Sequence, residues 1–228
     1  MTTAAVRPAG LGNLWTLPGV YAPQADTFLL AEALRAEGIA KGTDLLDVCT
    51  GSGALAVLAA RMGARVSATD ISRRAVTAAR LNAARAGQRV RVLHGDLTGP
   101  ITDERFDVVV SNPPYVPTPP GRHPRKHRSS VAWDAGRSGR QALDRICAHA
   151  RDMLHPQGVL LIVHSALCGV DETLRRLAEA GMHGSVTHQA CVPFGPVITD
   201  RLPWLRAQGL LRPDEDTEEL VVIRARRS

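Results

Sequence analysis

The chain has 228 residues, of which 44% are hydrophobic and 22% are charged, and its formal net charge is +6 at pH 7. This length suits one or two domains, and the even spread of apolar residues predicts a single domain over residues 1–228. No apolar run approaches the roughly 20 residues that a helix needs to cross a bilayer. We therefore expect that the chain is not a membrane protein and has no membrane partner.

The cysteine and histidine patterns bear on location and on metal binding. The cysteines lie far apart and form no Cys-x-x-Cys pair, and the first residues, MTTAAVRPAG, have no signal-peptide apolar segment. These features predict reduced thiols and a cytoplasmic location. The histidines are scattered without the spacing of ligands, so we predict no metal site.

Positive charge is concentrated in two places. Residues 116–130, VPTPPGRHPRKHRSS, are rich in proline and in basic side chains, and we interpret them as an exposed basic loop. Guanidinium groups bind phosphates and carboxylates, which permits an acidic partner such as nucleic acid. The arginines between Asp70 and Asp96 fall largely in one alanine-rich stretch, which indicates a solvated helix face instead.

Before the basic loop, short β-branched runs alternate with alanine-rich helical segments. In chain order these runs read LLDVC, ALAVLAARM, RVSATD, SRRAVTAARLNAARAG, RVRVLHGD and FDVVVSNPPY. Strands that alternate with helices predict βαβ units in a mostly parallel sheet. Asp26 and Ser72 are placed to cap the helices that follow them.

After the loop, the alternation continues to the end of the chain. We predict helices near residues 139–154, 170–180 and 199–208, and strands near 158–165, 185–192 and 218–225. Seven strands result in all. The predicted fold class is therefore α/β, with a doubly wound, seven-stranded, mostly parallel sheet.

A glycine bend follows the first strand of this sheet. DLLDVC runs directly into TGSG and an apolar helix, so Gly51 and Gly53 lie where bare backbone lets a ligand approach closely. The stretch lacks the full G-x-G-x-x-G pattern, which makes a pyrophosphate cradle less favoured. On its own, this bend also fits a simple strand-to-helix connection.

Acidic residues lie at the same edge of the predicted sheet. Asp70 ends the second strand, where a carboxylate can accept hydrogen bonds from both hydroxyls of a ribose. Asp96 follows the third strand and suits an adenine amino group, and Asp47 can accept from the ammonium of an amino-acid moiety. Each aspartate alone also fits a turn or a helix cap, but the three together predict an adenosyl ligand.

The fourth strand leads into Asn112, Pro113, Pro114 and Tyr115. Two consecutive prolines fix φ and donate no backbone hydrogen bonds, so the Asn112 side-chain oxygen and the Pro113 carbonyl are predicted to be fixed acceptors. Such a pair suits the two protons of a planar NH2 group, and Tyr115 can stack on that group. This corner predicts catalysis by positioning, without a strong base on the enzyme.

These motifs resemble those of class I S-adenosylmethionine-dependent methyltransferases, and within them those of the HemK-like release-factor glutamine methyltransferases. DVCTGSG is similar to the first motif of the family and NPPY to its catalytic motif, with Asp70 as the ribose-binding acid and Asp96 as the adenine-side acid. The segment VYAPQADTFLL resembles the opening of the short eukaryotic and archaeal branch. The resemblance implies a Rossmann-like fold with an antiparallel last strand, and S-adenosyl-L-methionine as the cofactor.

The expected site residues follow from these motifs and from the resemblance, which adds a cofactor contact by Thr27. The cofactor-binding set is Thr27, Asp47, Cys49, Gly51, Gly53, Asp70, Asp96 and Asn112. The expected catalytic residues are Asn112, Pro113 and Tyr115, and Pro114 joins these three in binding the acceptor. Cys49 departs from the family, which usually has glycine at this position.

The resemblance implies transfer of a methyl group to a planar amide or amine nitrogen, with a glutamine of a peptide-chain release factor as the expected acceptor. Two alternatives stay open. One is an adenine-amino methyltransferase of DNA or RNA, whose phosphates would contact Arg122, Arg125, Lys126 and Arg128. The other is an N-methyltransferase of small metabolites.

Three segments bear on partners and on acceptor choice. Residues 1–20 form an N-terminal extension, in place of the helical domain that typical bacterial members of the family carry. The short branch works with a small zinc-binding activator protein, and Leu14, Trp15 and Leu17 offer a second way to cover the same apolar surface. The basic loop and an insertion at residues 193–219, before the last strand, are further places where acceptor choice can differ.

Overall fold

A computed structural model describes residues 11–120 and 135–227. Its strands are β1 (Asp44–Val48), β2 (Arg65–Asp70), β3 (Val90–His94), β4 (Phe106–Ser111), β5 (Leu154–Ser165), β6 (Met182–Pro193) and β7 (Thr217–Arg227). Its α-helices are α1 (Ala25–Ala36), α2 (Ala54–Arg61), α3 (Arg73–Arg85), α4 (Gln141–His149), α5 (Val170–Glu179) and α6 (Pro196–Ala207). The basic side chains at positions 122, 125, 126 and 128 lie outside the described residues.

The strands form one sheet in the order β3-β2-β1-β4-β5-β7-β6. β1 to β5 pair in parallel, whereas β7 runs antiparallel to both β5 and β6. The predicted fold class and the antiparallel last strand are therefore confirmed. The strand order reverses between β1 and β4, and a doubly wound sheet opens its ligand crevice at the carboxyl ends of such strands.

Because β7 is antiparallel, its first residues lie at the same edge of the sheet as the last residues of the parallel strands. Ser165 at the end of β5 pairs with Leu220, two residues after Glu218. An acidic residue at the start of the last strand is thereby placed beside the crevice.

The central strands are hydrophobic on both faces because helices cover them. Leu45, Leu46 and Val48 of β1 are fully buried, as are Val109 and Val110 of β4. Continuous apolar runs of this kind are typical of parallel strands between helix layers. Because these strands are buried, their carboxyl ends are fixed in position. The polar side chains lie at these ends.

Several element boundaries differ from the prediction. α4 ends at His149 because residues 150–153 turn, and β5 already begins at Leu154, which pairs with Phe106 of β4. α6 begins at Pro196, three residues earlier than expected, since proline is well suited to the first turn of a helix. β6 also begins earlier, at Met182.

The two predicted helix caps have different outcomes. The Ser72 hydroxyl accepts a hydrogen bond from the Ala75 N–H at 3.4 Å, which confirms it as the cap of α3. The prediction for Asp26 was wrong: Gln24 precedes α1, and Asp26 lies inside the first turn of that helix. Its carboxylate instead accepts hydrogen bonds from the hydroxyls of Tyr21 and Tyr115.

Residues 11–20 of the N-terminal extension pack along α3. The backbone of Trp15 exchanges hydrogen bonds with the buried Asn82 side chain, at 2.8 and 2.9 Å, and Arg85 lies 4.0 Å above the Trp15 ring. Leu17 packs against the small cluster that Val20 forms with alanines of α3. The extension thus covers part of the surface beside the glycine bend.

In residues 11–120 and 135–227, no helix combines the length and the hydropathy needed to cross a bilayer.

Candidate active site

A cleft of about 260 Å³ lies at the carboxyl edge of the sheet, between the ends of β1, β2 and β4 and the start of β7. Residues of α1 and of α6 close its sides. The structure brings together these expected site residues: Thr27, Asp47, Cys49, Gly51, Asp70, Asp96, Asn112, Pro113, Pro114 and Tyr115. Gly53 alone of the expected set is not in the wall of the cleft.

Asp47 is the most deeply buried carboxylate of the cleft, with a side chain that is 1% exposed. One oxygen accepts from the Thr50 hydroxyl at 2.6 Å and from the Ala56 N–H at 3.1 Å. Within the described residues, Oδ1 has no hydrogen-bond partner. Burial raises the pKa of Asp47 to about 7, against the effect of both hydrogen bonds. A buried oxygen of this kind fits a ligand cation.

The glycine bend is shaped by two residues with different roles. Gly51 lines the cleft in the left-handed region, with φ +56°, and its N–H donates to Asp70 at 2.9 Å. Gly53 lies behind the bend, because a Cβ there would come within 2.9 Å of the Ala79 backbone. Its structural role is therefore close packing of α2 on α3, and a contact with a cofactor stays a prediction.

Cys49 adopts φ +63°, the left-handed conformation that glycine favours. The family's usual glycine at this position is therefore explained by backbone geometry. The cysteine keeps that geometry at some cost in strain, and its side chain contributes to the cleft wall. Burial raises the pKa of the Cys49 thiol well above its usual value, so this thiol is not activated as a nucleophile.

Asp70 is held at the end of β2 by backbone donors. Oδ2 accepts from Gly51 and Oδ1 accepts from the Ser72 N–H at 2.8 Å, so each oxygen keeps acceptor capacity for a further donor. Burial raises the pKa of Asp70, while the bonds from Ser72 and Gly51 oppose this shift. The arrangement fits the two vicinal hydroxyls of a ribose.

Asp96 differs from the other aspartates that line the cleft because it forms a side-chain ion pair. Arg145 of α4 donates to both of its oxygens, at 3.1 and 2.8 Å, and the two side chains are about half exposed. Sequence reasoning missed Arg145, since nothing in the local pattern links α4 to the end of β3. The ion pair orients Asp96 and leaves lone pairs for an amino group.

Asn112 is oriented by a relay from α1. Its Nδ2 donates to the Thr27 hydroxyl at 3.4 Å, and this hydroxyl donates to Asp26 Oδ1 at 3.1 Å. Because Nδ2 donates to Thr27, Oδ1 of Asn112 remains available to accept a hydrogen bond. Thr27 is thus brought to the catalytic corner as well as to the cofactor side of the cleft.

The side of the cleft formed by residues 112–115 is named the acceptor side, after the methyl acceptor expected there. Asp26 connects the side chains of this part of the cleft, a role that sequence reasoning missed. Its carboxylate is 3% exposed and accepts from the hydroxyls of Tyr21, at 2.6 Å, and of Tyr115, at 2.9 Å. Burial and the nearby Asp26 raise the pKa of both tyrosines well above the usual value, so both remain donors. The Tyr115 ring is thereby fixed in the wall of the cleft.

Part of the predicted insertion at residues 193–219 forms a wall of the cleft on the acceptor side. Residues 195–198 at the start of α6 line the cleft, and Arg201 of the same helix is 6% exposed. One guanidinium nitrogen of Arg201 donates to the carbonyls of Val116 and Pro117 and to the Thr118 hydroxyl, at 3.0 to 3.1 Å. α6 therefore anchors the segment that follows Tyr115.

The donors and acceptors of the cleft fit an adenosyl amino acid. A buried carboxylate oxygen without a partner suits an ammonium, and a carboxylate at the end of β2 suits a ribose. The described part of the chain holds no cluster of three or more side chains that could bind a metal ion.

Comparison with known proteins gives consistent results. Residues 12–124 match the family of methyltransferase small domains. Human methyltransferase HEMK2 is 35% identical over 175 residues, which cover 73% of this chain and 81% of HEMK2. The release factor glutamine methyltransferase of Geobacter sulfurreducens is 37% identical over 64% of this chain and 53% of its own length.

Solved structures show the same relationship. The Mtq2–Trm112 complex of E. cuniculi, described as responsible for methylation of the eRF1 translation termination factor, superposes with a TM-score of 0.63. The match has 25% sequence identity and covers 92% of this chain and 99% of the other. A 16S rRNA N2 G1207 methyltransferase of T. thermophilus, solved with AdoMet and guanosine, shares the fold at 22% identity and a TM-score of 0.60.

The fold and these similarities define a class I methyltransferase, an enzyme that uses S-adenosylmethionine as methyl donor. The human relative is 35% identical and most of its length is covered. The chain therefore belongs to the HEMK-type family of S-adenosylmethionine-dependent N-methyltransferases.

Proposed function

We propose that this enzyme methylates the side-chain amide nitrogen of a glutamine in a peptide-chain release factor. The observation that carries the proposal is the hydrogen bond from the amide nitrogen of Asn112 to Thr27, which leaves the amide oxygen of this cleft residue to accept from a substrate N–H. The names of the relatives support the same acceptor. HEMK-type proteins include release factor glutamine methyltransferases, and the E. cuniculi complex methylates a termination factor.

The proposed mechanism is catalysis by positioning. When bound, S-adenosylmethionine supplies an electrophilic methyl group on a sulfonium. Asn112 Oδ1 and the Pro113 carbonyl accept hydrogen bonds from the two N–H groups of the glutamine amide, and the Tyr115 ring packs on the amide plane. As the nitrogen gains the methyl group it gives up one of these two protons, which passes to water. Asp26 fixes both Thr27 and Tyr115, so the acceptor corner is ordered before the acceptor binds.

We assign the cofactor contacts to the opposite wall. Asp47 would pair with the ammonium, Asp70 would accept from the ribose hydroxyls and Asp96 would accept from the adenine amino group. Thr27, Cys49 and Gly51 would complete this wall. Fixed acceptors in an enclosed site need no rearrangement when the ligand binds, which favours affinity.

A small zinc-binding activator protein is a further part of the proposal. Its support is the E. cuniculi complex, in which the matching methyltransferase is bound to Trm112. Addition of a purified partner of this kind should raise turnover, and an unchanged rate would reject this part of the proposal. A cytoplasmic location stays a prediction.

The test uses isotopically labelled cofactor and purified release factor, with mass spectrometry to locate the modified residue. A release factor whose modified glutamine is replaced by glutamate serves as the matched control, and it should accept no label. A parallel reaction with a cell lysate separates protein, nucleic-acid and small-molecule fractions. Label that enters nucleic acid or metabolites and not the release factor would reject the proposal.

A further inference from the structure

Glu218 carries a buried carboxyl group that lines the cleft. The mechanism proposed above assigns it no role. It is the second residue of β7, and the antiparallel direction of this strand places it at the edge where Asn112 follows β4. Its side chain lines the cleft and is 8% exposed. Glu219, the next residue, is exposed on the other face of the strand.

The two acids of the acceptor side are satisfied to different degrees. Asp26 accepts from two tyrosine hydroxyls and from the N–H and hydroxyl of Thr27. Glu218 receives a hydrogen bond from the Ser165 hydroxyl, but its Oε2 has no partner within the described residues. A buried polar atom without a partner is costly, so it indicates a group that arrives with a ligand.

The surroundings of Glu218 favour its neutral form. Burial and the nearby Asp26 raise the pKa of Glu218 to about 7, against the bond from Ser165. The other titratable groups that interact with it electrostatically are Tyr21, Tyr115 and Cys168. Burial raises the pKa of each of these three, so all keep their protons through the neutral range.

A carboxamide presents two kinds of hydrogen-bonding group. Its NH2 has two donors, which the acceptors at Asn112 and Pro113 suit, whereas its carbonyl oxygen needs a donor when it is buried. The hydroxyls of Tyr21, Tyr115 and Thr27 already donate to Asp26. A protonated carboxyl at Glu218 has the required donor.

We propose that Glu218 is an acceptor-binding residue whose protonated carboxyl donates a hydrogen bond to the carbonyl oxygen of the acceptor carboxamide. The proposal rests on the glutamine acceptor proposed above. It makes Glu218 a determinant of specificity, because an ionised carboxylate would repel a carbonyl oxygen and attract a cationic amine instead.

The test compares wild type, Glu218→Gln and Glu218→Ala, with Glu219→Gln as the matched control. The ratio kcat/KM for release factor is measured from pH 5.5 to 9 with saturating S-adenosylmethionine, so that titration of Asp47 does not affect the result. For wild type and for E219Q, kcat/KM should fall about tenfold per pH unit above pH 7.

The two variants at position 218 separate hydrogen bonding from structure. A glutamine keeps an N–H donor at every pH, so E218Q should retain activity within about threefold of the wild-type maximum. It should also lose the falling limb of the pH profile, which is the decrease of kcat/KM above pH 7. E218A should lose roughly tenfold or more in kcat/KM at pH 6, mainly through a higher KM for release factor. Its cofactor Kd and Tm establish that it is folded.

Each outcome decides a different question. A falling limb that persists in E218Q, or a kcat/KM of E218A within twofold of wild type, overturns the role of Glu218 while glutamine methylation stands. Wild-type enzyme that transfers no label to release factor rejects the proposed function, and the role of Glu218 with it.

Discussion

The two walls of the cleft are built in different ways. Most of the cofactor wall comes from the ends of β1 to β3 and the bend between them, and backbone N–H groups hold Asp47 and Asp70 there. Two parts of this wall come from farther along the chain: Thr27 of α1 and the ion pair of Asp96 with Arg145. The acceptor wall combines segments that are far apart in the chain, and buried side chains connect them through Asp26. The first wall is mainly local and backbone-based, whereas the second depends throughout on long-range side-chain contacts.

This difference implies that the two walls can be damaged separately. Substitutions on the acceptor side should change turnover and leave cofactor affinity nearly intact. Substitutions on the cofactor side should change affinity first.

Replacement of Asn112 by alanine should have the largest effect on catalysis. Loss of a fixed acceptor at the reacting nitrogen is expected to lower kcat by about 10³-fold, while the cofactor Kd changes by less than about threefold. Single-turnover rates and calorimetric titration measure the two quantities. Equal losses in both would contradict the assignment of Asn112 to the acceptor wall.

Asp47→Asn should have opposite effects on binding and on stability. Without the carboxylate, cofactor affinity should fall roughly 30-fold or more, since a buried charge pair is lost. The protein without cofactor should gain about 1 kcal/mol or more at pH 8, because an ionised buried carboxyl is removed.

The pH dependence of this effect has a defined sign. The pKa of Asp47 in the fold, about 7, lies above the roughly 3.9 of an unfolded aspartate. Its contribution to stability is therefore complete below about pH 4 and is lost as the pH rises through 7. The Tm advantage of D47N should be larger at pH 8 than at pH 5, and wild-type cofactor affinity should rise between these values. A cofactor Kd that does not change with pH would exclude the ionised Asp47 as its partner.

Arg201→Met tests how α6 supports the acceptor wall. The variant removes a buried donor from two carbonyls and one hydroxyl just after Tyr115, so we expect a loss of about 2 kcal/mol in stability and a higher KM for release factor. Arg206→Met, at an exposed position of the same helix where one nitrogen donates to the Glu215 carbonyl, is the control; it should cost less than about 0.5 kcal/mol and leave KM unchanged. Urea unfolding measures the stability of both variants, and steady-state kinetics measure their KM for release factor.

The two walls also differ in how far sequence alone could predict them. Gly51 and Asp70 follow predicted strands directly, and parallel strands bring their carboxyl ends to one edge, so local patterns were sufficient. The structure confirms that these residues lie together. Asn112 was predictable for the same reason, as the residue that follows β4.

The rest of the acceptor wall could not be read from local patterns. Asp26 fits a helix cap in sequence, and its contact with Tyr115 spans 89 positions of the chain. Glu218 belongs to a run of acids in which no member stands out, and only the antiparallel direction of β7 selects it. That direction was predicted, so one signal for Glu218 was present and was not used.

Cys49→Gly should have the smallest effect and sharpens the description of the cofactor wall. Cys49 has φ +63°, which costs roughly 1 kcal/mol in a residue with a Cβ, whereas glycine loses about 0.5–1 kcal/mol through its freer unfolded chain. The two effects nearly cancel, so stability should change by less than about 1 kcal/mol and cofactor Kd by less than about twofold. Cys191→Gly, on the exposed face of β6, is the matched control and should lose the full cost of glycine in a strand. Equal destabilisation of the two variants in urea would show that no strain is relieved at Cys49.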